Sequence, residues 1–349
     1  MSAQLPVSPP RTRATIRDVA TLAGVGIKTV SRVINDEANV APQTRDRVHR
    51  AVSALNFKPN LGAGSLRRGD RKTRTLGLLL DAVDNPFSAA VNRGVEVVAA
   101  AHGNAVFAAS CANDPERERA LVEAFTRRRV DALILTTASD DHGYLQAERE
   151  QGVVVVFVDR PPVGLLADAV LTDNRHAAEV ATQHLLDHGH RRVVFLGDDA
   201  SITTAQQRRM GYTATMERAG AGRLARYVDD LRSEREALAA VVSLMDSGSP
   251  PTALFASQNL VTLGALRSLH QLGLQHQVAL VGFDDLALAD LVQPGLTVMA
   301  QDPVRIVTLA ATRVFERLDG SASREDTQIV PATLVVRGSG EIAPPEPAG

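Results

Sequence analysis

The chain has 349 residues, of which 44% are hydrophobic and 22% charged, a composition that supports a sizeable core and argues against wholesale disorder. Its single cysteine, Cys111, excludes a disulfide framework and a cysteine-rich zinc site and favours a reducing compartment, so we expect a cytoplasmic protein. The N-terminus shows no secretory signal, and the apolar run at 153–158 is far shorter than the roughly 18 residues that span a membrane.

The formal net charge of −2 conceals a division of charge along the chain. Residues 11–74 hold 14 Lys and Arg against five Asp and Glu, a net charge of +9, so the rest of the chain carries −11. A basic head on an acidic body indicates one domain for a polyanion and a second domain with another task.

Three short helices are predicted in the basic head. Residues 1–13 hold three prolines without periodicity and are expected to form a flexible tail. Thr15 and Asp18 have the spacing of a capping box, which predicts a helix start, and the Gly-Val-Gly stretch at 24–26 ends this helix. A second helix buries Val30 and Val33, and Pro42 suits the first turn of a third. This arrangement predicts a helix-turn-helix domain over residues 14–58, whose second helix could enter a major groove.

The acidic body alternates apolar strand patterns with amphipathic helix patterns in two similar halves. We predict strands at 75–80, 105–109, 132–135, 153–158, 193–196, 226–228, 253–255 and 279–283. Repeated strand–helix units of this kind build doubly wound parallel sheets, so we expect an α/β body of two lobes. Ligands of such sheets bind outside the carboxyl ends of the strands, which here places a site between the lobes.

Ordered motifs along the chain resemble the lactose/galactose (LacI/GalR) repressor family over residues 14–337. The head motifs are TIRDVA at 15–20, AGV at 23–25, TVSRVIN at 29–35, TR at 44–45 and PN at 59–60. The body motifs include DNPF at 84–87, DR at 159–160, GHRR at 189–192, GFDD at 282–285 and PGLT at 294–297. The resemblance implies a transcriptional regulator, expected to be a repressor, that binds a pseudo-palindromic DNA operator as a homodimer under the control of a small effector. It also implies a body similar to periplasmic sugar-binding proteins.

The resemblance assigns roles to side chains of the head. Ile27, Lys28 and Arg32 would read bases. The phosphate contacts would come from Thr15, Thr29, Ser31, Asn35 and Thr44. Residues 59–74 would form a hinge in which Leu66 wedges into the minor groove and Arg67 contacts it, although Gly62 and Gly64 weaken a helix there. Gly26 stands where the family usually has Ser or Thr, so one hydroxyl contact to phosphate is missing.

The resemblance also implies an effector site in a body that spans residues 75–338. One lobe would comprise 75–173 and 300–330, the other 174–299 and 331–338, followed by a flexible tail at 339–349. The expected effector-binding residues are Asn85, Phe87, Asp159, Arg208, Gln258, Phe283, Asp284 and Gln301. The family often has Asn-Asp where this chain has Gln258-Asn259, so one charge is lost, and the chain has no tryptophan to stack on a sugar. A sugar remains the expected effector, with a polyol, a nucleobase or a phosphorylated metabolite as open alternatives.

Two other functions remain to be weighed against a regulator. A solute-binding protein without a DNA role is opposed by the basic head and the missing signal. A dinucleotide-dependent enzyme is opposed by the lack of a G-x-G-x-x-G motif, so we expect neither catalysis nor a cofactor. His184 and His188 have a spacing that can bind a metal, but we interpret them as the end of a helix and expect no metal site. Cys111 is interpreted as a packed core residue.

Overall fold

A computed structural model describes residues 14–34, 37, 39–58 and 72–346 of the chain. It divides into two compact units, residues 1–73 and residues 74–349. None of the described helices is long and apolar enough to cross a membrane.

The head contains the predicted helix-turn-helix. Helix α1 spans Ile16–Ala23, α2 spans Ile27–Ile34 and α3 spans Pro42–Ala54. The capping box is confirmed: the Thr15 amide donates to Asp18 Oδ2 at 2.7 Å, and the Asp18 amide donates to Thr15 Oγ1 at 3.4 Å. Gly24 ends α1 in the left-handed region with φ of 64°, a conformation that glycine adopts without steric cost. Val30 of α2 is fully buried among the apolar faces of the other two helices.

The body consists of two α/β lobes, and its helices and strands are as follows. They are β1 Thr75–Leu80, α4 Pro86–Ala101, β2 Ala105–Ser110, α5 Pro115–Arg127, β3 Ala132–Leu135, α6 Gln146–Glu150, β4 Val154–Val158, β5 Asp168–Thr172, α7 Asn174–Asp187, β6 Val193–Leu196, α8 Thr203–Arg218, β7 Arg226–Val228, α9 Glu234–Met245, β8 Ala253–Ala256, α10 Asn259–Leu272, β9 Ala279–Phe283, β10 Thr297–Ala300, α11 Pro303–Leu318, β11 Thr327–Val330 and β12 Thr333–Val335.

Each lobe is built on one six-stranded sheet. Lobe 1 has the strand order β11-β5-β4-β3-β1-β2, and all its strand pairs are parallel. Lobe 2 has the order β12-β10-β9-β8-β6-β7, parallel except for the antiparallel β10–β12 pair. Helices cover both faces of such sheets, which is why β9 is apolar and buried along its whole length and β1 is so after its first residue, Thr75.

The chain passes between the lobes three times. It leaves lobe 1 after β5 and enters lobe 2 at α7, returns from β10 to α11, and crosses again from β11 to β12. Four further strands, β5, β10, β11 and β12, are not among those predicted from the sequence. These are short segments of three to five residues, and all four lie next to the crossings.

The expectation that residues 339–349 form a flexible tail is wrong for the part of this segment that the structure describes. Residues Ser339–Glu341 form a 3-10 turn, and Glu341 contacts the His184 ring and accepts a hydrogen bond from Thr297 Oγ1 at 2.9 Å. His190 Nε2 lies 2.7 Å from the carbonyl oxygen of Ile342. These polar contacts fix the segment to lobe 2, because its partners are buried or half-buried side chains that need hydrogen-bonding groups.

Candidate functional site

The second helix of the head presents the side chains predicted to read bases on its solvent face. Ile27 is 40% exposed, and Lys28 and Arg32 are exposed as well, while two valines of the same helix are buried. Only an exposed side chain can reach a base edge in a DNA groove. Arg32 Nε lies 3.6 Å from Glu37 Oε2, an exposed ion pair that is worth at most about 1 kcal/mol and does not bar another partner.

The side chains predicted to contact phosphate have different surroundings. Thr29 and Ser31 are half-buried on α2, and Thr44 is half-buried in the first turn of α3. The Thr15 hydroxyl is engaged in the cap of α1, where it donates to Asp18 Oδ2 at 2.8 Å. Three further predicted contacts lie outside the described residues: Asn35, Leu66 and Arg67.

The polar side chains of the body gather where parallel strands end. In each lobe the carboxyl ends of the strands form one edge, and the residues that follow them are Asp81 after β1, Asp159 and Arg160 after β4, Asp198 after β6, Ser257 after β8 and Asp284 after β9. Electrostatic interactions connect these groups across the lobes: Arg208 of lobe 2 acts on Asp159 of lobe 1, and Arg160 of lobe 1 acts on Asp198 of lobe 2. We call this set of side chains the cleft.

Arg208 lies at the centre of the cleft and is only 5% exposed. Its Nε donates to Asn174 Oδ1 at 2.8 Å, and its Nη1 donates to the carbonyl oxygen of Ser257 at 2.7 Å. The guanidinium carbon lies 3.7 Å from the centre of the Phe283 ring. Stacking and two fixed donors hold the guanidinium in one orientation, as a group that recognises oxygen-rich ligands requires.

Asp284 is held as firmly as Arg208. Its Oδ1 accepts a hydrogen bond from Gln301 Nε2 at 2.7 Å, and its Oδ2 accepts one from Asn259 Nδ2 at 3.2 Å. The residue has φ of 67°, and Asp159 has φ of 69°, left-handed conformations that are rare for residues other than glycine and that often mark functional sites. Asp159 is half-buried and makes no side-chain hydrogen bond to the described residues.

Burial governs the protonation of the cleft. It raises the pKa of the Asp159, Asp198 and Asp284 carboxyls, an effect that the positive charge of Arg208 opposes. Burial lowers the pKa of Arg208, and the same three carboxyls oppose that change. Because a guanidinium stays protonated in proteins, the cleft combines fixed cationic donors with a larger number of carboxyl acceptors.

Three other predicted effector-binding residues have structural tasks in the described chain. Gln258 Oε1 caps α10 by accepting hydrogen bonds from the amides of Leu260 and Val261. Asn85 Oδ1 caps α4 by accepting from the Phe87 amide at 2.9 Å. The Phe87 ring is partly buried and packs against the core of lobe 1.

The cleft also contains residues that were not predicted from the sequence to bind the effector, and Arg160 is the most prominent of them. Arg160 donates to Asn113 Oδ1 and to the Thr137 carbonyl, and its Nη2 lies 3.2 Å from Asp81 Oδ2. Three buried cleft atoms have no hydrogen-bond partner among the described residues: Arg160 Nε, Ser257 Oγ and Asn259 Oδ1. Arg160 directly follows Asp159 at a strand end, which was the available signal. Unpartnered buried polar atoms are costly unless a ligand or water satisfies them.

Comparisons with known proteins cover both units of the chain. The family described as periplasmic binding proteins and sugar binding domain of LacI family matches residues 73–331, and the family described as bacterial regulatory proteins, lacI family, matches residues 15–60. The HTH-type transcriptional regulator PtxS of Pseudomonas plecoglossicida is 35% identical over 95% of this chain and 97% of its own length. A transcriptional regulator CelR–cellobiose complex is 29% identical over 94% of this chain and all of that chain, with a TM-score of 0.67. A lac repressor dimer bound to operator and the anti-inducer ONPF shares the fold, with 24% identity over 95% of this chain and all of that chain and a TM-score of 0.82.

Proposed function

The chain belongs to the LacI family of bacterial regulatory proteins and is a ligand-responsive, DNA-binding transcriptional regulator, and we propose that its effector is a small, uncharged polyhydroxyl compound, a sugar or polyol, bound between the lobes. The observation that carries this proposal is the Arg208 guanidinium, fixed over Phe283 beside Asp284 and Asp159. Carboxylates accept hydrogen bonds from hydroxyl groups, and a guanidinium donates to them, so this arrangement suits a ligand rich in hydroxyls.

The charge of the cleft supports an uncharged effector. Two guanidiniums face an excess of carboxyl groups: Asp81, Asp159, Asp198 and Asp284 against Arg160 and Arg208. Among the described residues, Arg160 is already paired with Asp81 and Arg208 already interacts with Asp159, Asp198 and Asp284, so a phosphate or carboxylate ligand would compete with these carboxyls for both guanidiniums. Desolvating a like charge next to these groups is unfavourable, which disfavours acids and phosphate esters.

The head supports a DNA contact in which Ile27, Lys28 and Arg32 read bases from an exposed helix face. The lac repressor neighbour is a dimer on operator DNA, and we extend that assembly to this chain as a homodimer on a pseudo-palindromic operator. Two recognition helices then meet two half-sites. The +9 charge of residues 11–74 predicts affinity that falls steeply with salt.

The regulator acts, in this proposal, by binding rather than by catalysis. Two observations support a binding function: the head has a helix-turn-helix, and hydrogen bonds hold polar side chains of the cleft, such as Arg208 and Asp284, in place. Its place of action is the cytoplasm, where operator DNA is accessible.

A thermal-shift screen of the purified chain tests the effector class. Neutral sugars and polyols are compared with their own acids and phosphate esters, for example D-glucose, D-gluconate and D-glucose 6-phosphate. A specific ligand at 100 times its Kd stabilises the fold by about 2.7 kcal/mol, and we expect the strongest stabilisation from a neutral compound. If an acid or a phosphate ester stabilises the chain more than its neutral counterpart, the proposed effector class is wrong.

A further inference from the structure

A partly buried hydrogen-bonded bridge joins the two lobes at Asn259, the first residue of α10. Asn259 Nδ2 donates to Asn85 Oδ1 of lobe 1 at 2.8 Å and to Asp284 Oδ2 of lobe 2 at 3.2 Å. The side chain is only 1% exposed. Its amide nitrogen therefore links the N-terminal cap of a lobe 1 helix to a carboxylate at the centre of the cleft.

The chemistry of the two neighbours fixes the orientation of the Asn259 amide. Asn85 Oδ1 accepts a second hydrogen bond from the Phe87 amide at 2.9 Å, so this atom is the oxygen of that side chain. The Asp284 atom is a carboxylate oxygen. Both neighbours are acceptors, and each takes one of the two hydrogens of the Asn259 NH2 group, so the group is fully used.

The bridge continues from Asp284 back to lobe 1. The other Asp284 oxygen accepts from Gln301 Nε2 at 2.7 Å, and Gln301 Oε1 accepts from the Thr172 hydroxyl at 2.5 Å at the end of β5. Gln301 lies in the segment that crosses between the lobes. Hydrogen bonds sheltered from water are stronger than those exposed to it, and losing one member of the network leaves polar groups such as the buried Asn259 amide without a partner.

We propose that Asn259 is a positioning residue for the effector response. It joins the lobes through Asn85 and holds Asp284 in place by donating both amide hydrogens. This inference rests on the proposed function of the cleft. The resembled family often has Asp at this position, and a carboxylate there has no hydrogens to donate. It would place an acceptor opposite the oxygens of Asn85 and Asp284, whereas the amide in this chain donates to both.

The test compares Asn259→Asp with Gln258→Glu in the full-length chain by hydrogen–deuterium exchange, without effector or DNA. Both variants add a carboxylate in place of an amide at adjacent positions. A glutamate at 258 can still accept the two backbone hydrogen bonds that cap α10. An aspartate in the first turn is also compatible with a helix, so any effect of Asn259→Asp in lobe 1 arises through the bridge.

The diagnostic segment is 82–90, because it lies in the opposite lobe from the substitution. We expect exchange in this segment to rise about 2- to 10-fold in Asn259→Asp, the range that corresponds to one net hydrogen bond, and to stay at the wild-type rate in Gln258→Glu. Wild-type exchange at 82–90 in Asn259→Asp would overturn the proposal.

A second pair of variants keeps the proposal testable if Asn259→Asp fails to fold. Asn85→Asp keeps an oxygen that can accept from both the Phe87 amide and Asn259 Nδ2, whereas Asn85→Ala removes this acceptor. Exchange of residues 257–263 in lobe 2 should rise only in Asn85→Ala, and equal exchange in both variants overturns the bridge. A gel-shift assay of the wild type on its own upstream DNA is a separate measurement, so failure of the regulator function and failure of the bridge are distinguishable.

Discussion

Replacing Gly26 by serine should tighten operator binding, because this position precedes the recognition helix. The Gly26 carbonyl accepts hydrogen bonds from the amides of Thr29 at 2.9 Å and Val30 at 3.1 Å, as an N-cap residue does. A Cβ atom built on Gly26 meets no other atom within 4 Å, and the backbone there is not in the left-handed region. The structure therefore accommodates a serine whose hydroxyl can cap α2, and from the family resemblance we expect this hydroxyl to contact a phosphate as well.

The magnitude follows from the two tasks of that hydroxyl. Serine exceeds glycine as a cap by only a few tenths of a kcal/mol, so the free energy of unfolding should change little. A new hydrogen bond contributes about 0.5–1.5 kcal/mol net, which corresponds to a gain in DNA affinity of roughly 2- to 10-fold for each head. Two heads on one operator would compound this gain.

Fluorescence anisotropy with a duplex from the chain's own upstream region measures the effect, and a scrambled duplex measures the non-specific part. Gly24→Ser is the matched control: its Cβ also meets no atom within 4 Å, but φ is 64°. Serine in that conformation costs about 1–2 kcal/mol of stability. Operator affinity of Gly26→Ser at or below the wild-type value, with an unchanged melting temperature, would refute the reasoning.

Three further substitutions test other parts of the account. Arg32→Ala should cost about 1–3 kcal/mol of operator affinity and relax one base position; an equal loss on every sequence would mean that Arg32 contacts only phosphate. Burial raises the pKa of Asp159 in the folded chain, so the folded state binds this proton more readily than the unfolded state, and stability falls as pH rises through that range. Asp159→Asn should therefore melt above the wild type at neutral pH and converge with it in acid; a gap that widens in acid contradicts this. Gly211→Ala places a Cβ 2.2 Å from the Arg175 carbonyl oxygen, which forces α7 and α8 apart at a cost of about 1–3 kcal/mol in urea unfolding, while Gly248→Ala, with no atom within 4 Å, should not lose stability.

The head could be predicted from the sequence because its signals are local. The Thr15–Asp18 capping box, the glycine at position 24 and the proline at position 42 each act within one helical turn, and the structure has all three where expected. The long buried strands of the body were equally visible, since strands such as β9 are apolar throughout.

The remaining features depend on contacts between distant parts of the chain. Strand β12 has only three residues and is exposed or half-buried, so its pattern alone does not distinguish it from a loop. Residues 339–342 are fixed by His184, His190 and Thr297, which lie far away in sequence.

The same distinction holds for the cleft: some of its residues belong to short sequence motifs, and others have roles that depend on partners far away in sequence. Asp159, Arg208 and Asp284 could be assigned from motifs, and the structure brings them into one electrostatic cluster. From the sequence, Asn259 could be described only as a position where a negative charge common in the family is absent. Its hydrogen bond between the lobes could not be predicted, because the partner, Asn85, is 174 residues away in sequence. Gln258 caps a helix because its side chain lies beside the first free amides of α10.

The central proposal is that a ligand bound in the cleft changes the affinity of the head for operator DNA. It is tested most directly by measuring operator affinity against the concentration of a stabilising ligand from the thermal screen, in the wild type and in Asp284→Asn. We expect operator affinity to change by roughly 5- to 150-fold in the wild type, equivalent to about 1–3 kcal/mol of coupling, with little or no response in the variant. An operator affinity that ignores the bound ligand in the wild type, or that responds equally in Asp284→Asn, would contradict it.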